Sequence, residues 1–122
     1  MSNGKSIKQL KEEIGFIPPG VMVSKSLGGN LQEIIASYHH EVWGEGVIPI
    51  KYRYFIALGT AIFDRNEKRA KLEIRKAIDN GATKEELFEV IKQQVWMKGA
   101  PELVQVAPLV KYIEESFSTD RK

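Results

Sequence analysis

Asn66, Arg69 and Glu73 are spaced so that all three lie on one face of a helix. On a helical wheel Asn66 and Glu73 border an apolar stripe, and Arg69 lies slightly further out. A charged pair beside a core stripe is typical of a pocket between helices. Arg69 could hold a substrate carboxylate through its planar guanidinium, and a partly buried Glu73 could act as a general acid or base. The spacing therefore favours proton transfer or decarboxylation next to a carbonyl group.

The same pair also has a simpler interpretation. Arg69 and Glu73 are four residues apart, and an exposed ion pair at that spacing stabilises a helix by only about 0.3–0.5 kcal/mol. The spacing alone leaves a surface ion pair and a small-molecule site both open.

Histidine and glutamine supply the remaining polar candidates. His39 and His40 are the only histidines, and adjacent helix residues cannot readily chelate one metal ion, so we expect no metal site. His39 flanks an apolar stripe one turn before Trp43 and could line a pocket or lie on the helix surface. Gln94 falls on an apolar face, where a buried amide needs a partner, ordinarily a neighbouring helix end. Gln93 should point outward.

Composition excludes several classes of function. The 122 residues include no cysteine, which removes disulfides, thiolate catalysis, thiolate metal sites and iron–sulfur clusters. The 18 basic and 16 acidic residues are interspersed, so we expect no nucleic-acid or membrane-surface partner. The longest strongly apolar stretch, residues 54–63, is half of the roughly 20 residues that a membrane span needs. No glycine-rich phosphate loop and no signal peptide are evident, so we expect no cofactor and a cytoplasmic location.

Helical periodicity predicts the elements that position these residues, and no stretch is typical of a strand. We expect helices over residues 6–14, 21–27, 31–43, 54–63, 64–80 and 84–97. After a turn at residues 99–101 we expect a last helix to about residue 117, which Pro108 kinks or splits. Asn30 is a predicted N-cap, and Thr83 with Glu86 forms a predicted capping box. The prediction is an all-α, single-domain helical bundle over residues 1–122.

The apolar content is high for a lone bundle of this size. The helix over residues 54–63 is apolar nearly all round, as in a bundle centre or a subunit interface. Together with Trp43 and Trp96, this helix predicts a homo-oligomer.

Several short motifs in a fixed order resemble one protein family. They are GVIPIKYR at residues 46–53, FIAL at 55–58, AIDNGATKEE at 77–86 and GAP at 99–101, with GFIP at 15–18 near the start. In order and spacing they resemble the carboxymuconolactone decarboxylase and alkyl hydroperoxidase D family over nearly the whole chain. The resemblance implies an all-helical fold that assembles as trimers or hexamers, with active sites near subunit contacts.

The resemblance also implies which positions carry the family chemistry. Redox members use a glutamate, a Cys-x-x-Cys pair and a histidine, at positions that here hold Tyr54, Asn66, Arg69 and Glu73. Thiol–disulfide chemistry needs thiolates, so this chain is not a thiol peroxidase. Decarboxylase members carry a glutamate and a histidine near positions 69 and 73, which also differ here. Gln93 does match a polar position of the decarboxylase pattern.

The combined prediction is a non-thiol, decarboxylase-like enzyme of the lyase class that acts on a small carboxylated or lactone-like metabolite by decarboxylation or proton transfer. Tyr54 and Asn66 would donate hydrogen bonds to a developing enolate oxygen. The predicted catalytic residues are Glu73, Tyr54 and Asn66, and the predicted substrate-binding residues are Arg69, His39, Gln93 and Gln94. The alternative is a non-catalytic oligomer that binds a small molecule or serves as a scaffold.

Overall fold

The computed structural model describes residues 19–118, and no residue in that range belongs to a β-strand. The all-α prediction is therefore confirmed, and the helix predicted over residues 6–14 lies outside the described residues. The helices of the described part are, in chain order, α1 Pro19–Leu27, α2 Leu31–Trp43, α3 Ile50–Phe63, α4 Glu67–Asp79, α5 Lys84–Lys98, α6 Glu102–Gln105 and α7 Ala107–Ser116.

The chain divides into two compact units, Met1–Val47 and Ile48–Lys122. In the first unit, α1 packs against α2, and Ala36 of α2 is fully buried. The predicted apolar face of α2 does not point into a core of the single chain, since Tyr38 remains 70% exposed. The prediction of one domain over residues 1–122 stays a prediction.

The second unit is built around α3. This helix packs against α4 and α5, and α7 closes the core by packing on the same two helices. One face of α3 is buried, and the opposite face is exposed although it carries the apolar side chains of Ile56 and Phe63. The core side chains of the unit include Leu58, Ile62, Ala70, Ile74, Ala77, Leu87, Ile91, Leu109 and Ile113.

Helix α4 begins at Glu67, so the predicted start at Asp64 is wrong. Asp64 instead ends α3, and Arg65 takes a left-handed backbone conformation with φ of 55°. The side chain of Asn66 then caps α4, because its Oδ1 accepts a hydrogen bond from the Arg69 backbone N–H at 3.0 Å. The helix ends at Asp79, next to the predicted stop at Asn80 and Gly81, and the Gly81 φ of 96° favours glycine.

The capping box predicted at the start of α5 is confirmed. The Glu86 backbone N–H donates to Thr83 Oγ1 at 3.0 Å, and the Thr83 backbone N–H donates to Glu86 Oε1 at 2.9 Å.

The last predicted helix is split, as expected. It is interrupted at Val106 between α6 and α7, and Pro108 lies within the first two residues of α7. Proline is tolerated at that position because the first N–H groups of a helix have no intrahelical acceptor.

Candidate functional site at the start of α4

Arg69 and Glu73 form an ion pair on α4. Arg69 Nε donates a hydrogen bond to Glu73 Oε2 at 2.5 Å. The Glu73 side chain is only 4% exposed, whereas the Arg69 side chain is 58% exposed. Glu73 falls beside Ala70 and Ile74 on the face that α4 buries, and Arg69 reaches it from the solvent side. The helix thus holds a carboxylate at the edge of the core under a guanidinium that water reaches.

This arrangement gives the two residues different capacities. A buried carboxylate depends on its partner because it has lost its hydration, so the position of Glu73 is tied to Arg69. Arg69 uses Nε for Glu73, and its guanidinium carries two further N–H₂ groups that can bind a planar carboxylate. The pair can therefore bind an anion and keep a proton-accepting group beside it.

Tyr54 and Asn66, the other predicted catalytic residues, lie in different surroundings. Tyr54 is buried on α3. Asn66 is exposed, and its side-chain oxygen is occupied by capping α4, which leaves its amide nitrogen as the available donor. Asn66 lines a cavity of about 70 Å³, and Tyr54, Arg69 and Glu73 are not among the residues of that lining.

The predicted substrate-binding residues outside α4 are also dispersed. His39 belongs to the first unit, where its ring stacks on Trp43 with centroids 6.2 Å apart. Gln93 is exposed on α5, as predicted, and Gln94 is half-buried. Gln94 lines an open groove of about 410 Å³, whose other residues include Phe55, Ile56, Gly59, Phe63 and Met97.

Gln94 reaches that groove because α3 has a glycine opposite it. A Cβ atom placed on Gly59 would stand 2.9 Å from Gln94 Nε2. The predicted site residues are therefore dispersed over the described chain. Arg69 and Glu73 pair on α4, Asn66 lines the 70 Å³ cavity, Gln94 lines the groove, and His39 belongs to the first unit.

Comparison with known proteins tests the resemblance. Residues 30–112 match the model of the carboxymuconolactone decarboxylase family, which is more than half of the chain. The chain belongs to the carboxymuconolactone decarboxylase family. The predicted family and its all-helical fold are thereby confirmed, and the matched range contains every residue of the predicted site. Searches among curated proteins and among solved structures found no match.

This member of the carboxymuconolactone decarboxylase family contains no cysteine in its 122 residues, so these residues supply no thiolate for thiol-based chemistry. Within residues 19–118, no group of three or more His, Cys, Asp or Glu side chains is arranged to hold a metal ion. The same described stretch contains no helix that is both long and apolar enough to cross a bilayer.

One polar pair of this family member was missed by sequence reasoning. Arg65 Nη2 donates to Glu102 Oε1 at 3.2 Å, and Glu102 is almost completely buried. Both residues line the 70 Å³ cavity together with Asn66. An acidic residue directly after Pro101 in the first turn of a helix is ordinarily solvent-exposed, so the sequence contained no signal of its burial.

In the second unit, the pKa values of Glu86, at the start of α5, and of its partner Lys51, in α3, are shifted. The pKa of Glu86 is lowered from its ordinary value, chiefly by the hydrogen bond from the Thr83 backbone N–H and then by the hydrogen bond from Lys51. The pKa of Lys51 is raised, chiefly by its hydrogen bond to Glu86. These shifts come from a helix cap and a cross-helix ion pair, and they identify a stabilising contact rather than a reactive one.

Proposed function

We propose that this member of the carboxymuconolactone decarboxylase family is a non-thiol enzyme that carries out decarboxylation or proton transfer on a small carboxylated or lactone-like metabolite. The observation that supports the proposal is the contrast in exposure within one ion pair, between a buried Glu73 and a half-exposed Arg69. An enzyme of this kind needs a cation that a substrate can reach and a shielded carboxylate beside it.

Each residue then has a defined role in the proposed reaction. Arg69 binds the substrate carboxylate through its free N–H₂ groups. As the C–H or C–COO⁻ bond breaks, its electron pair moves towards the neighbouring carbonyl, whose oxygen gains negative charge. We assign the Tyr54 hydroxyl and the Asn66 amide nitrogen as donors to that oxygen. In proton transfer, ionised Glu73 removes the proton from carbon. In decarboxylation, protonated Glu73 donates its proton to that carbon after CO₂ has left and takes a new one from water.

The proposal also includes the predicted residues that lie outside α4. His39, Gln93 and Gln94 remain predicted substrate contacts, and the protein is predicted to work in the cytoplasm. Cell fractionation tests the location.

The first experiment is a thermal-shift screen of small carboxylates and unsaturated lactones against wild type and Arg69→Ala. A ligand that binds only the folded state raises the apparent stability, by about 2.7 kcal/mol at a hundredfold excess over Kd. The matched control is Arg75→Ala, which removes another arginine of α4 whose partner, Asp79, is also four residues away. We expect ligands that stabilise wild type and Arg75→Ala and lose their effect in Arg69→Ala.

Catalysis is tested on any ligand found in the screen. We expect Glu73→Gln to retain binding and to lower kcat by about 10²–10⁴-fold, the usual contribution of a general acid or base. If every ligand-induced stabilisation survives in Arg69→Ala, the proposed site is wrong.

A second candidate function is supported by a different observation. Large apolar side chains are exposed on the second unit, including Trp96, which is 82% exposed, and Ile56 and Leu103. Such side chains are typical of surfaces that self-associate. A homo-oligomer, trimer or hexamer, that binds a small molecule without catalysis or acts as a scaffold would account for them. Light scattering at micromolar concentration tests the assembly, and a monomer would contradict it.

A further inference from the structure

The 70 Å³ cavity beside Arg65 and Glu102 has features of its own. It lies between the turn that joins α3 to α4 and the segment that contains α6 and the start of α7. Ala61, Val106 and Leu109 form apolar parts of its wall. Arg69 and Glu73 do not line the cavity, whereas Asn66, which has a role in the proposed function, does.

Glu102 is the chemically distinctive group of this cavity. Its side chain is 2% exposed, and the only hydrogen bond to its carboxylate from the described residues comes from Arg65 Nη2, at 3.2 Å. A carboxylate can accept about four hydrogen bonds, and one buried with a single partner is poorly compensated for its lost hydration.

The second carboxylate oxygen of Glu102, Oε2, accepts no hydrogen bond from the described residues. In the described part of the chain, no enclosed side-chain oxygen or nitrogen lacks a hydrogen-bond partner. The Oε2 atom has no such partner, so it is not sealed in the core, and the cavity that Glu102 lines is the space available to it. A hydrogen-bond donor bound in the cavity would supply the hydrogen bonds that the Glu102 carboxylate lacks.

The charges around the cavity favour a cationic donor. The Arg65 side chain is 54% exposed, so water screens much of its charge, whereas the Glu102 charge is buried. Glu67, which also lines the cavity, is paired with Lys71 at 2.9 Å. Glu102 is thus the buried charge of the lining, and a charged N–H donor bonds a carboxylate more strongly than a neutral donor does.

We propose that this cavity binds a small primary ammonium group through Glu102. A volume of 70 Å³ has room for about five water-sized groups, which suits an alkylammonium ion of a few heavy atoms. The ammonium hydrogens bond Oε2 of Glu102, and the alkyl part lies against Ala61, Val106 and Leu109. The class of ligand is thus a short primary amine in its protonated form.

Methylammonium chloride titrated into the full chain tests the site, with backbone amide NMR shifts of Ala61, Asn66 and Val106 as the readout. We expect saturable shifts with methylammonium, and at least tenfold weaker binding of tetramethylammonium, which is bulkier and has no N–H group. Sodium chloride at equal ionic strength should leave these shifts unchanged. Equal shifts from sodium or tetramethylammonium would overturn the proposal, as would acetate binding in place of methylammonium.

A pair of variants assigns the binding to Glu102. Glu102→Gln keeps the shape of the side chain and removes its charge, and we expect binding to weaken at least tenfold. Glu114→Gln, on the exposed surface of α7, makes the same change in net charge and should bind as wild type does. Undiminished binding by folded Glu102→Gln would contradict the assignment. If that variant does not fold, the comparison of the two cations on wild type still decides the proposal.

Discussion

Lys51 Nζ lies 3.1 Å from Oε2 of Glu86, while the other oxygen of the same carboxylate, Oε1, accepts the Thr83 backbone N–H at 2.9 Å. One side chain therefore both caps α5 and joins α5 to α3. Glu86 and Lys51 lie 35 residues apart in the chain, so this contact fixes the start of α5 against the central helix. The two pKa shifts described above are the electrostatic signature of this contact.

The pH dependence of stability should follow from these shifts. Because the pKa of folded Glu86 lies below its ordinary value of 4.5, its contribution is present above that pH and is lost as the pH falls through the folded pKa. The raised pKa of Lys51 gives a contribution that is present below 10.5 and is lost as the pH rises through its folded value. We expect Glu86→Gln to reduce the acid-induced loss of stability in urea unfolding between about pH 6 and pH 3.

The control for that measurement is Glu85→Gln, which changes the neighbouring acidic residue in the same helix turn. Glu85 should contribute only its weaker interaction with the helix dipole. If wild type and Glu86→Gln lose the same free energy of unfolding on acidification, the capping carboxylate does not control the acid-induced loss of stability.

Unequal burial within the Arg69–Glu73 pair predicts an unequal effect of removing each partner. Arg69→Ala leaves a buried carboxylate without its donor, and we expect it to lower the free energy of unfolding by about 1–2 kcal/mol. Glu73→Gln leaves an arginine that water already reaches, and its cost should be below about 1 kcal/mol. Urea unfolding at neutral pH measures both.

Lys71→Ala is the matched control for the unequal pair, because Lys71 and its partner Glu67 are both substantially exposed. That variant should lose about 1 kcal/mol or less, from the exposed ion pair and from the contact of Lys71 Nζ with the Tyr112 ring, whose centroid is 5.7 Å away. If Arg69→Ala costs no more than Lys71→Ala, Glu73 does not depend on its arginine.

The approach of Gln94 to Gly59 predicts energetic coupling between α5 and α3. Replacing glycine by alanine within a helix ordinarily stabilises it by about 0.5–1 kcal/mol. In wild type, the new Cβ would stand 2.9 Å from Gln94 Nε2, so the amide must move and the gain should shrink. We expect Gly59→Ala to be more favourable in a Gln94→Ala background, by about 0.5–1 kcal/mol in a double-mutant cycle.

Gln93→Ala provides the comparison background, since Gln93 is the exposed neighbour of Gln94. Gly59→Ala should have the same effect there as in wild type. An equal coupling energy between positions 59 and 93, or no coupling energy between positions 59 and 94, would contradict the contact of Gln94 with Gly59.

Gly81 offers a test of the turn that follows α4. Its φ is 96°, and a Cβ placed there would meet no atom within 4 Å, so any cost of Gly81→Ala comes from the backbone conformation alone. We expect the free energy of unfolding to fall by about 1–2 kcal/mol, in thermal or urea denaturation. No loss of stability would mean that this turn adopts another conformation in solution.

Helix ends could be predicted where a local side chain decides them. The Thr83–Glu86 capping box and Gly81 lie within a few residues of the ends that they set, so short sequence windows contained the information. The start of α4 was predicted three residues early because Asp64 and Asn66 are both good capping residues. The left-handed conformation of Arg65 decides in favour of Asn66, and sequence patterns rarely anticipate such a conformation for arginine.

The candidate site could be predicted only in part, for a related reason. Glu73 was recognised at the edge of an apolar stripe because its neighbours lie on its own helix. The burial of Glu102 depends on Arg65, 37 residues away, and helical periodicity contains no information about such a pair. The exposed apolar face of α2 shows the same limit, since periodicity identifies a face without specifying what covers it.

Arg65 is a place where two demands on one residue conflict. Its backbone conformation suits glycine and costs an arginine about 1 kcal/mol or more, whereas its ion pair with Glu102 requires the guanidinium. Position 65 is therefore locally frustrated. In a mutational library, selection for folding should enrich glycine or asparagine there if the backbone cost exceeds the cost of leaving the buried Glu102 carboxylate without its donor, and should retain arginine in the opposite case. The identity of residue 65 would then report which of the two costs is larger.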